Sequence, residues 1–237
     1  MQDLVKITNS FIPKGERYSR SFTYDYYVQG IRRLIKSLAE QQGIGGRKIV
    51  PINPMMPSDN LLLLLSGHSN RSSVRYKLIR ELLEEFSNPS AREVNKLISS
   101  SYYNYIFNIN KDLPILLRYR ARSACLKKVE RVLALHDYFI SNDNSFSGFT
   151  SKKDDVRDYP LCLSFKEISN EIAEFDGSHR RCVAYFCGSR EIVSHVVDME
   201  DLDFWFNLEE FPDMYLKEHW DKFKDVIYRI GKKNLFL

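Results

Sequence analysis

The sequence predicts an α/β protein of the α+β type, in which a mainly helical first part precedes a small mixed sheet. Two observations predict this fold. Between residues 24 and 140, apolar side chains recur every three or four positions, which is the helical period. From residue 161 onward, short apolar segments alternate with turn residues, as strands do. We therefore expect a helical region over residues 1–115 and an α/β domain over residues 116–237.

Four helices are predicted ahead of the sheet, over residues 24–42, 74–86, 91–107 and 123–140. The first ends at a glycine-rich turn, and Ser90 is a candidate cap for the third. After the first helix, three closely spaced prolines deny the chain a regular hydrogen-bond ladder. This segment is predicted to be a loop or an extended sheet edge.

The sheet is predicted from strands over residues 161–165, 171–175 and 191–198. A short helix over residues 178–187 lies between the second and third of these strands, and Gly188 suits the left-handed position after it. An exposed loop is expected at residues 142–157. A connector around Trp205 and a helix over residues 212–230 complete the prediction.

Charge and cysteine content restrict the class of protein. The chain has 237 residues, and 35 Lys and Arg against 31 Asp and Glu give it a net charge of +4. This charge is far below that of a protein that coats nucleic acid. The N-terminus carries no secretory signal, and no apolar run reaches the roughly 20 residues that span a bilayer. Four cysteines without a C-x-x-C pair indicate reduced thiols, so we expect a cytoplasmic chain.

The candidate functional residues are concentrated in the segment Asp-Gly-Ser-His-Arg at residues 176–180. Gly177 can adopt a backbone conformation closed to other residues, and Ser178 can cap the following helix. The helix start attracts anions, and the guanidinium of Arg180 matches phosphate oxygens. His179 can donate a hydrogen bond or move a proton. Asp176 can accept a proton from a hydroxyl or hold a divalent cation.

A plainer interpretation of the same segment is open at this stage. A strand joined to a helix through Asp-Gly is common connector chemistry. In that case Arg180 and Arg181 lie in solvent, and His179 is a structural histidine. Cys182, one helical turn further on, is predicted to pack in the core.

The segment Asp-Gly-x-His-Arg, followed by a short helix ending in glycine and then a strand, resembles the signature of the ParB/sulfiredoxin-like superfamily. The resemblance covers about residues 118–198. Members include partition proteins, sulfiredoxins and free-serine kinases, and their turn and helix start hold the phosphates of a nucleotide. The resemblance implies phosphate contacts from Gly177, Ser178, His179 and Arg180.

The departures from the family pattern narrow the expected activity. Ser178 stands where sulfiredoxins have a nucleophilic cysteine, and the Gly-Glu-Arg-Arg of partition proteins is missing. The kinase-like pattern Asp-Gly-His-His-Arg is nearer, and Asp-Gly-Ser-His-Arg occurs among polysaccharide biosynthesis proteins. The resemblance therefore implies phosphoryl transfer from a nucleotide to a hydroxyl of a sugar, glycan or small metabolite. The expected nucleotide is ATP or ADP, or else CTP, together with Mg²⁺. Because the glutamate that serves the kinases as base is missing here, Asp176 is the best remaining candidate for the base, or a metal ligand.

A basic run precedes and enters the fourth predicted helix. Arg118, Arg120 and Arg122 stand where the kinases place a catalytic glutamate. Their charge suits the acidic part of a substrate or a nucleic-acid backbone. A solvated helix end is the plainer interpretation. The competing function is therefore a non-catalytic module that binds a nucleotide or nucleic acid.

Overall fold

The computed structural model describes residues 35–52, 72–112, 122–150, 156–165 and 171–207, together with Trp220 and Lys224. In chain order, the elements are α1 (residues 35–42), β1 (Gly46–Pro51), α2 (Ser72–Phe86), a 3₁₀ turn (Pro89–Ala91), α3 (Val94–Ser99), α4 (Ser101–Asp112), α5 (Arg122–Ser141), a second 3₁₀ turn (Val156–Asp158), β2 (Leu161–Phe165), β3 (Glu171–Asp176), α6 (Ser178–Phe186), β4 (Glu191–Asp198) and α7 (Met199–Asn207). The predicted mixed fold with a mainly helical N-terminal part is confirmed. None of the described helices is both long and apolar enough to cross a membrane.

The four described strands form one mixed sheet in the order β1-β4-β2-β3. β1 runs antiparallel to β4, β4 runs parallel to β2, and β2 runs antiparallel to β3. The proline-containing segment after α1 therefore supplies a strand, as the extended-edge alternative predicts. Pro51 pairs with Glu191 at the last position of that strand, where its missing N–H does least harm to the ladder. The sheet thus takes one strand from the predicted helical region.

An extensive apolar core lies between α2, α4, α5 and α6. Leu83, Phe86, Val129 and Val183 are fully buried there. Each fully buried side chain of this size contributes roughly 1.5–3 kcal/mol relative to its exposed state. The apolar residues of α5 are not all buried, because Ile140 at its end is 57 % exposed.

The third predicted helix is two helices, because Ser100 interrupts it. The hydroxyl of Ser100 donates to the carbonyl of Leu97 and accepts from the N–H of Tyr103, so it ends α3 and begins α4. Ser90 does not cap this region. Instead, the side chain of Asn88 accepts from the N–H of Ser90 and starts the first 3₁₀ turn.

The segment after α5 is exposed at Asp143 and Asn144, but the described part beyond them is packed. Phe146 is buried, and its ring lies 4.6 Å from that of Phe139. The fully buried carboxylate of Asp158 accepts from the backbone N–H groups of Gly148 and Thr150, at 2.6 and 2.7 Å. These hydrogen bonds hold the loop against the start of β2.

The C-terminal segment also differs from its prediction. The expected connector around Trp205 is a helix, α7. The predicted helix over residues 212–230 lies outside the described residues except at Trp220 and Lys224, which are both helical. Trp220 is fully buried, and its indole stacks on Phe206 at 4.2 Å.

Arg92 joins the end of α2 to α5 through a bidentate ion pair. Its two terminal nitrogens lie 2.5 and 2.7 Å from the carboxylate oxygens of Asp137, and its Nε donates to the carbonyl of Phe86 at 2.8 Å. The hydrogen bonds from Arg92 hold the pKa of Asp137 below its ordinary value, and the neighbouring His136 acts in the same direction. Asp137 therefore stabilises the fold in its ionised form.

We expect Asp137→Asn to lower the free energy of unfolding by about 1 kcal/mol near neutral pH, a modest value because solvent screens this half-exposed pair. Since the folded pKa is lowered, the contribution is present above the ordinary carboxyl pKa of 3.8 and disappears as the pH falls through the folded value. Urea unfolding as a function of pH measures this. The difference between wild type and variant should close in acid, whereas Glu81→Gln, at an exposed pair, should show little difference at any pH. An Asp137 difference that stays constant with pH would contradict the assignment.

Candidate functional site

The motif at residues 176–180 forms a tight turn from β3 into α6. Gly177 is in the left-handed conformation, with φ of 97°. A Cβ at this position would lie 2.6 Å from the Cα and 2.7 Å from the Cβ of Pro160, which precedes β2. Glycine is therefore required both by the backbone conformation and by the space available.

The first turn of α6 presents its backbone N–H groups beyond this glycine. The first bond of the helix runs from the N–H of Arg181 to the carbonyl of Gly177, at 3.1 Å. The N–H groups of Ser178, His179 and Arg180 precede that bond, at the positive end of the helix dipole. The predicted capping role of Ser178 is wrong, because Gly177 takes the N-cap position and Ser178 is the first helical residue.

Asp176 is held from two sides. Its Oδ1 accepts from the N–H of Gly177 at 2.7 Å, and its Oδ2 lies 2.6 Å from the Nζ of Lys36 on α1. The side chains of Lys36 and Asp176 are 17 % and 12 % exposed, so this ion pair is largely withdrawn from water. The sequence analysis did not single out Lys36.

His179 is positioned by a tyrosine from the helical region. Its Nε2 lies 2.6 Å from the hydroxyl oxygen of Tyr102, and the two rings meet edge to face. Tyr102 is 1 % exposed and sits in α4, 77 residues before its partner. The hydrogen bond therefore fixes the orientation of the imidazole at the helix start, and local sequence does not reveal it.

The two arginines of the motif are buried, so the interpretation that both lie in solvent is wrong. Arg180 is 9 % exposed and donates to the carbonyl of Arg157 at 2.5 Å. The Nε of Arg157 lies 3.3 Å from the Oε1 of Glu40 on α1. Arg181 is fully buried and donates to the carbonyl of Asp176 at 3.2 Å. Both guanidinium groups thus donate to backbone carbonyls behind the turn and stabilise it.

Of the three arginines predicted to bind substrate, only Arg122 lies within the described residues. Arg122 begins α5 in an exposed position, and its guanidinium lies 6.0 Å from the ring of Phe107. Arg118 and Arg120 lie outside the described residues. Cys182 is buried in the core, as predicted.

The described side chains do not themselves form a magnesium site. No three His, Cys, Asp or Glu side chains in this part of the chain gather where they could hold a metal ion. Asp176 offers one carboxylate, and the ammonium of Lys36 already lies against it. A Mg²⁺ ion at this turn would therefore depend mainly on the phosphates of a nucleotide for its ligands.

A groove of about 550 Å³ opens beside the glycine-rich turn between α1 and β1. Its lining combines backbone, aromatic and charged groups, including Gly43, Gly46, Lys48, Asp198, Asp201 and Trp205. Gly45 has a φ of 75°, and a side chain there would collide with the carbonyl of Val196. This groove lies at the end of α1 away from Lys36, and the sequence analysis missed it.

His195 holds the glycine-rich turn against the sheet. Its Nε2 lies 3.0 Å from the carbonyl oxygen of Ile44. Burial lowers the pKa of His195, so the imidazole stays neutral at physiological pH. The neutral ring can donate its Nε2–H to that carbonyl and keep the turn in place.

No family model, curated protein or solved structure matches the chain. The functional argument therefore rests on the geometry of the turn and of the residues around it. Residues 176–180 stay a predicted site, and Lys36 and Tyr102 from the helical region contact two of them, Asp176 and His179.

Gly177→Ala should be more destabilising than Gly188→Ala, and the comparison isolates the contact with Pro160. Both glycines have positive φ, but space is open around Gly188. The backbone conformation alone costs an alanine about 1–2 kcal/mol, so the Gly188 variant should lose that amount and the Gly177 variant clearly more. Urea unfolding midpoints of the two variants give the difference. Equal losses would show that the Gly177 and Pro160 backbones separate at little cost.

Proposed function

We propose that the protein is a nucleotide-dependent phosphotransferase that acts on a hydroxyl of a sugar, glycan or other small metabolite. The observation that carries the proposal is the left-handed turn at Gly177. Its neighbours in sequence carry the N–H groups of the α6 start, the imidazole of His179, which contacts Tyr102, and the carboxylate of Asp176, which contacts Lys36. The resemblance of the motif to the ParB/sulfiredoxin-like superfamily points to the same chemistry.

Phosphate binding follows from the charge and geometry of the turn. Backbone N–H groups at a helix start, together with the helix dipole, favour an anion. Lys36, Arg180 and Arg181 add positive charge within or behind the turn. A glycine at the centre of the turn lets phosphate oxygens approach the backbone closely. ATP or ADP is the nucleotide that we propose first, with CTP as the next candidate.

In the transfer that we propose, the groups at the turn receive the proton that is released and stabilise the phosphoryl group that moves. The oxygen of the acceptor hydroxyl forms a bond to the terminal phosphorus, and the bond between that phosphorus and its bridging oxygen breaks. The electron pair of the broken bond leaves with the shortened nucleotide. The proton of the hydroxyl passes to the carboxylate of Asp176, and His179 donates to a phosphoryl oxygen. Mg²⁺, brought with the nucleotide, would neutralise phosphate charge.

The groove at the glycine-rich turn is a suitable place for the acceptor. It contains both hydrogen-bond acceptors, at Asp198 and Asp201, and an aromatic surface at Trp205. Sugar rings offer hydroxyl groups to carboxylates and C–H groups to aromatic faces. From Lys36 to Gly43 the chain advances seven residues, or roughly 10 Å at the helical rise of 1.5 Å per residue. An acceptor of that length would reach from the groove to the turn.

A cytoplasmic location belongs to the same proposal. All four cysteines are free thiols, and three of them are buried. Reduced thiols fit a compartment in which glutathione and thioredoxin prevent disulfide formation. Nucleotides are supplied in that compartment as well.

A second candidate function is nucleotide or nucleic-acid binding without catalysis. The ion pair between Lys36 and Asp176 favours it, because a carboxylate engaged by an ammonium cannot take a proton from a hydroxyl. If the acidic partner is nucleic acid, affinity should fall steeply with salt as phosphate counterions are released. An affinity for single-stranded DNA that exceeds the nucleotide affinity and shows this salt dependence would favour the second candidate.

The proposed function predicts that ATP stabilises the folded chain. At 100 times its dissociation constant, a bound nucleotide adds about 2.7 kcal/mol to the free energy of unfolding. A thermal-shift panel with ATP, ADP, CTP and GTP, each with and without Mg²⁺, measures this effect. We expect His179→Gln and Arg180→Lys to lose most of the shift, because one removes the imidazole at the helix start and the other the guanidinium that holds the turn to the carbonyl of Arg157.

Lys77→Met is the matched control, because Lys77 is 76 % exposed on α2 and makes only an exposed pair with Glu81. It should respond to nucleotides as the wild type does. The panel contradicts the proposed function if no nucleotide raises the melting temperature of the wild type. A shift that survives in both motif variants would place the nucleotide elsewhere.

A further inference from the structure

The ion pair between Lys36 and Asp176 joins two regions that are 140 positions apart in the sequence. Asp176 is the less mobile partner, because its other oxygen accepts from the N–H of Gly177 inside the tight turn. Lys36 reaches the carboxylate with a flexible four-carbon side chain. An anion at the helix start would therefore draw the ammonium toward itself rather than move the carboxylate.

The helix that carries Lys36, α1, is joined to the motif by other side-chain contacts. Glu40 lies four residues after Lys36, on the same face of α1, and contacts the side chain of Arg157. The carbonyl of Arg157 accepts from Arg180 of the motif. The backbone of α1 is thus tied to the motif, while the ammonium can exchange partners without a shift of the helix.

We propose that Lys36 is a phosphate ligand that closes the site in its empty state by pairing with Asp176. A bound nucleotide offers several negative charges beside the carboxylate, and Lys36 transfers from Asp176 to the terminal phosphate. This exchange releases Oδ2 of Asp176 to accept the proton of the acceptor hydroxyl. Nucleotide binding therefore switches on the base, and an acceptor that arrives first meets an occupied carboxylate. The inference rests on the proposed function and adds its regulation.

The exchange predicts opposite effects for the two members of the pair. Lys36→Met removes a phosphate ligand and should weaken ATP binding about tenfold, as the loss of a charge-assisted hydrogen bond does. Asp176→Asn removes the competitor for Lys36 and should tighten ATP binding about threefold, while it abolishes transfer. Lys36→Arg keeps the charge and should bind ATP within about threefold of the wild type. Isothermal titration calorimetry with ATP, on the full chain, gives these affinities.

Two controls separate this exchange from a purely structural ion pair. Lys77→Met should leave the ATP affinity unchanged, and adenosine, which lacks phosphates, should bind all variants alike. A structural pair would make Lys36→Met and Asp176→Asn weaken ATP binding together, and that result overturns the inference. If Asp176→Asn does not fold, an equal affinity of Lys36→Met and the wild type for ATP overturns it as well. If the wild type itself binds no nucleotide, the proposed function fails, which is a distinct outcome.

Discussion

The close approach of Gly177 to Pro160 is the constraint on which the arrangement of the site depends. Pro160 precedes β2, and its carbonyl accepts from the N–H of His195 on β4 at 2.8 Å. The start of β2, the middle of β4 and the end of β3 therefore meet beside the left-handed glycine. The position of Gly177 in turn determines where α6 begins. A side chain at residue 177 would push the helix start away from the sheet and separate its first-turn residues from Asp176 and Lys36.

The site is completed by parts of the chain that are distant in sequence. β1 pairs along its whole length with β4, and the carbonyl of Ile44 just before β1 is held by His195. The turn before β1 leads back to α1, whose Lys36 and Glu40 contact Asp176 and Arg157. The entropic cost of closing a loop grows only slowly with its length, so burial and pairing can offset such long-range contacts. The helical region and the sheet therefore build one site together.

The sequence predicted those elements whose signal is local. The strands β2, β3 and β4 and the helix α6 follow from alternation and from glycines at 177 and 188, and the structure places them within one or two residues of the prediction. The interruption at Ser100 was not predictable from the spacing of apolar residues, because both of the helices it joins keep the same period. Helix α7 was missed because its aromatic side chains suggested a connector. The interruption at Ser100 depends on hydrogen bonds that the apolar pattern does not contain, whereas α7 does have a local pattern, since its buried residues Met199, Leu202 and Phe206 are spaced as on one helix face.

The candidate site was predictable to a similar extent. The residues of the motif are adjacent in sequence, so Asp176 through Arg180 could be named as a group. Lys36 and Tyr102 could not, since one looks like a polar position on an amphipathic helix and the other like a core aromatic. The burial of Arg180 and Arg181 was also hidden, because two adjacent charged residues are typical of a solvated helix face. The packing of α6 against α2, α5 and β4 shows otherwise.

The charge at the start of α6 distinguishes a binding site from a simple connector. A helix that served stability alone would carry acidic residues in its first turn, where they complement the dipole and contribute about 0.3–1 kcal/mol each. The first turn of α6 has no acidic residue, and it carries His179, Arg180 and Arg181 instead. Burying guanidinium groups behind that turn adds a desolvation cost. A link between a strand and a helix needs the glycine but not these basic side chains. Residues that lower the stability of the folded chain are expected where a protein binds a ligand, here one of negative charge. The charge of this first turn therefore supports the proposal that the start of α6 binds an anion.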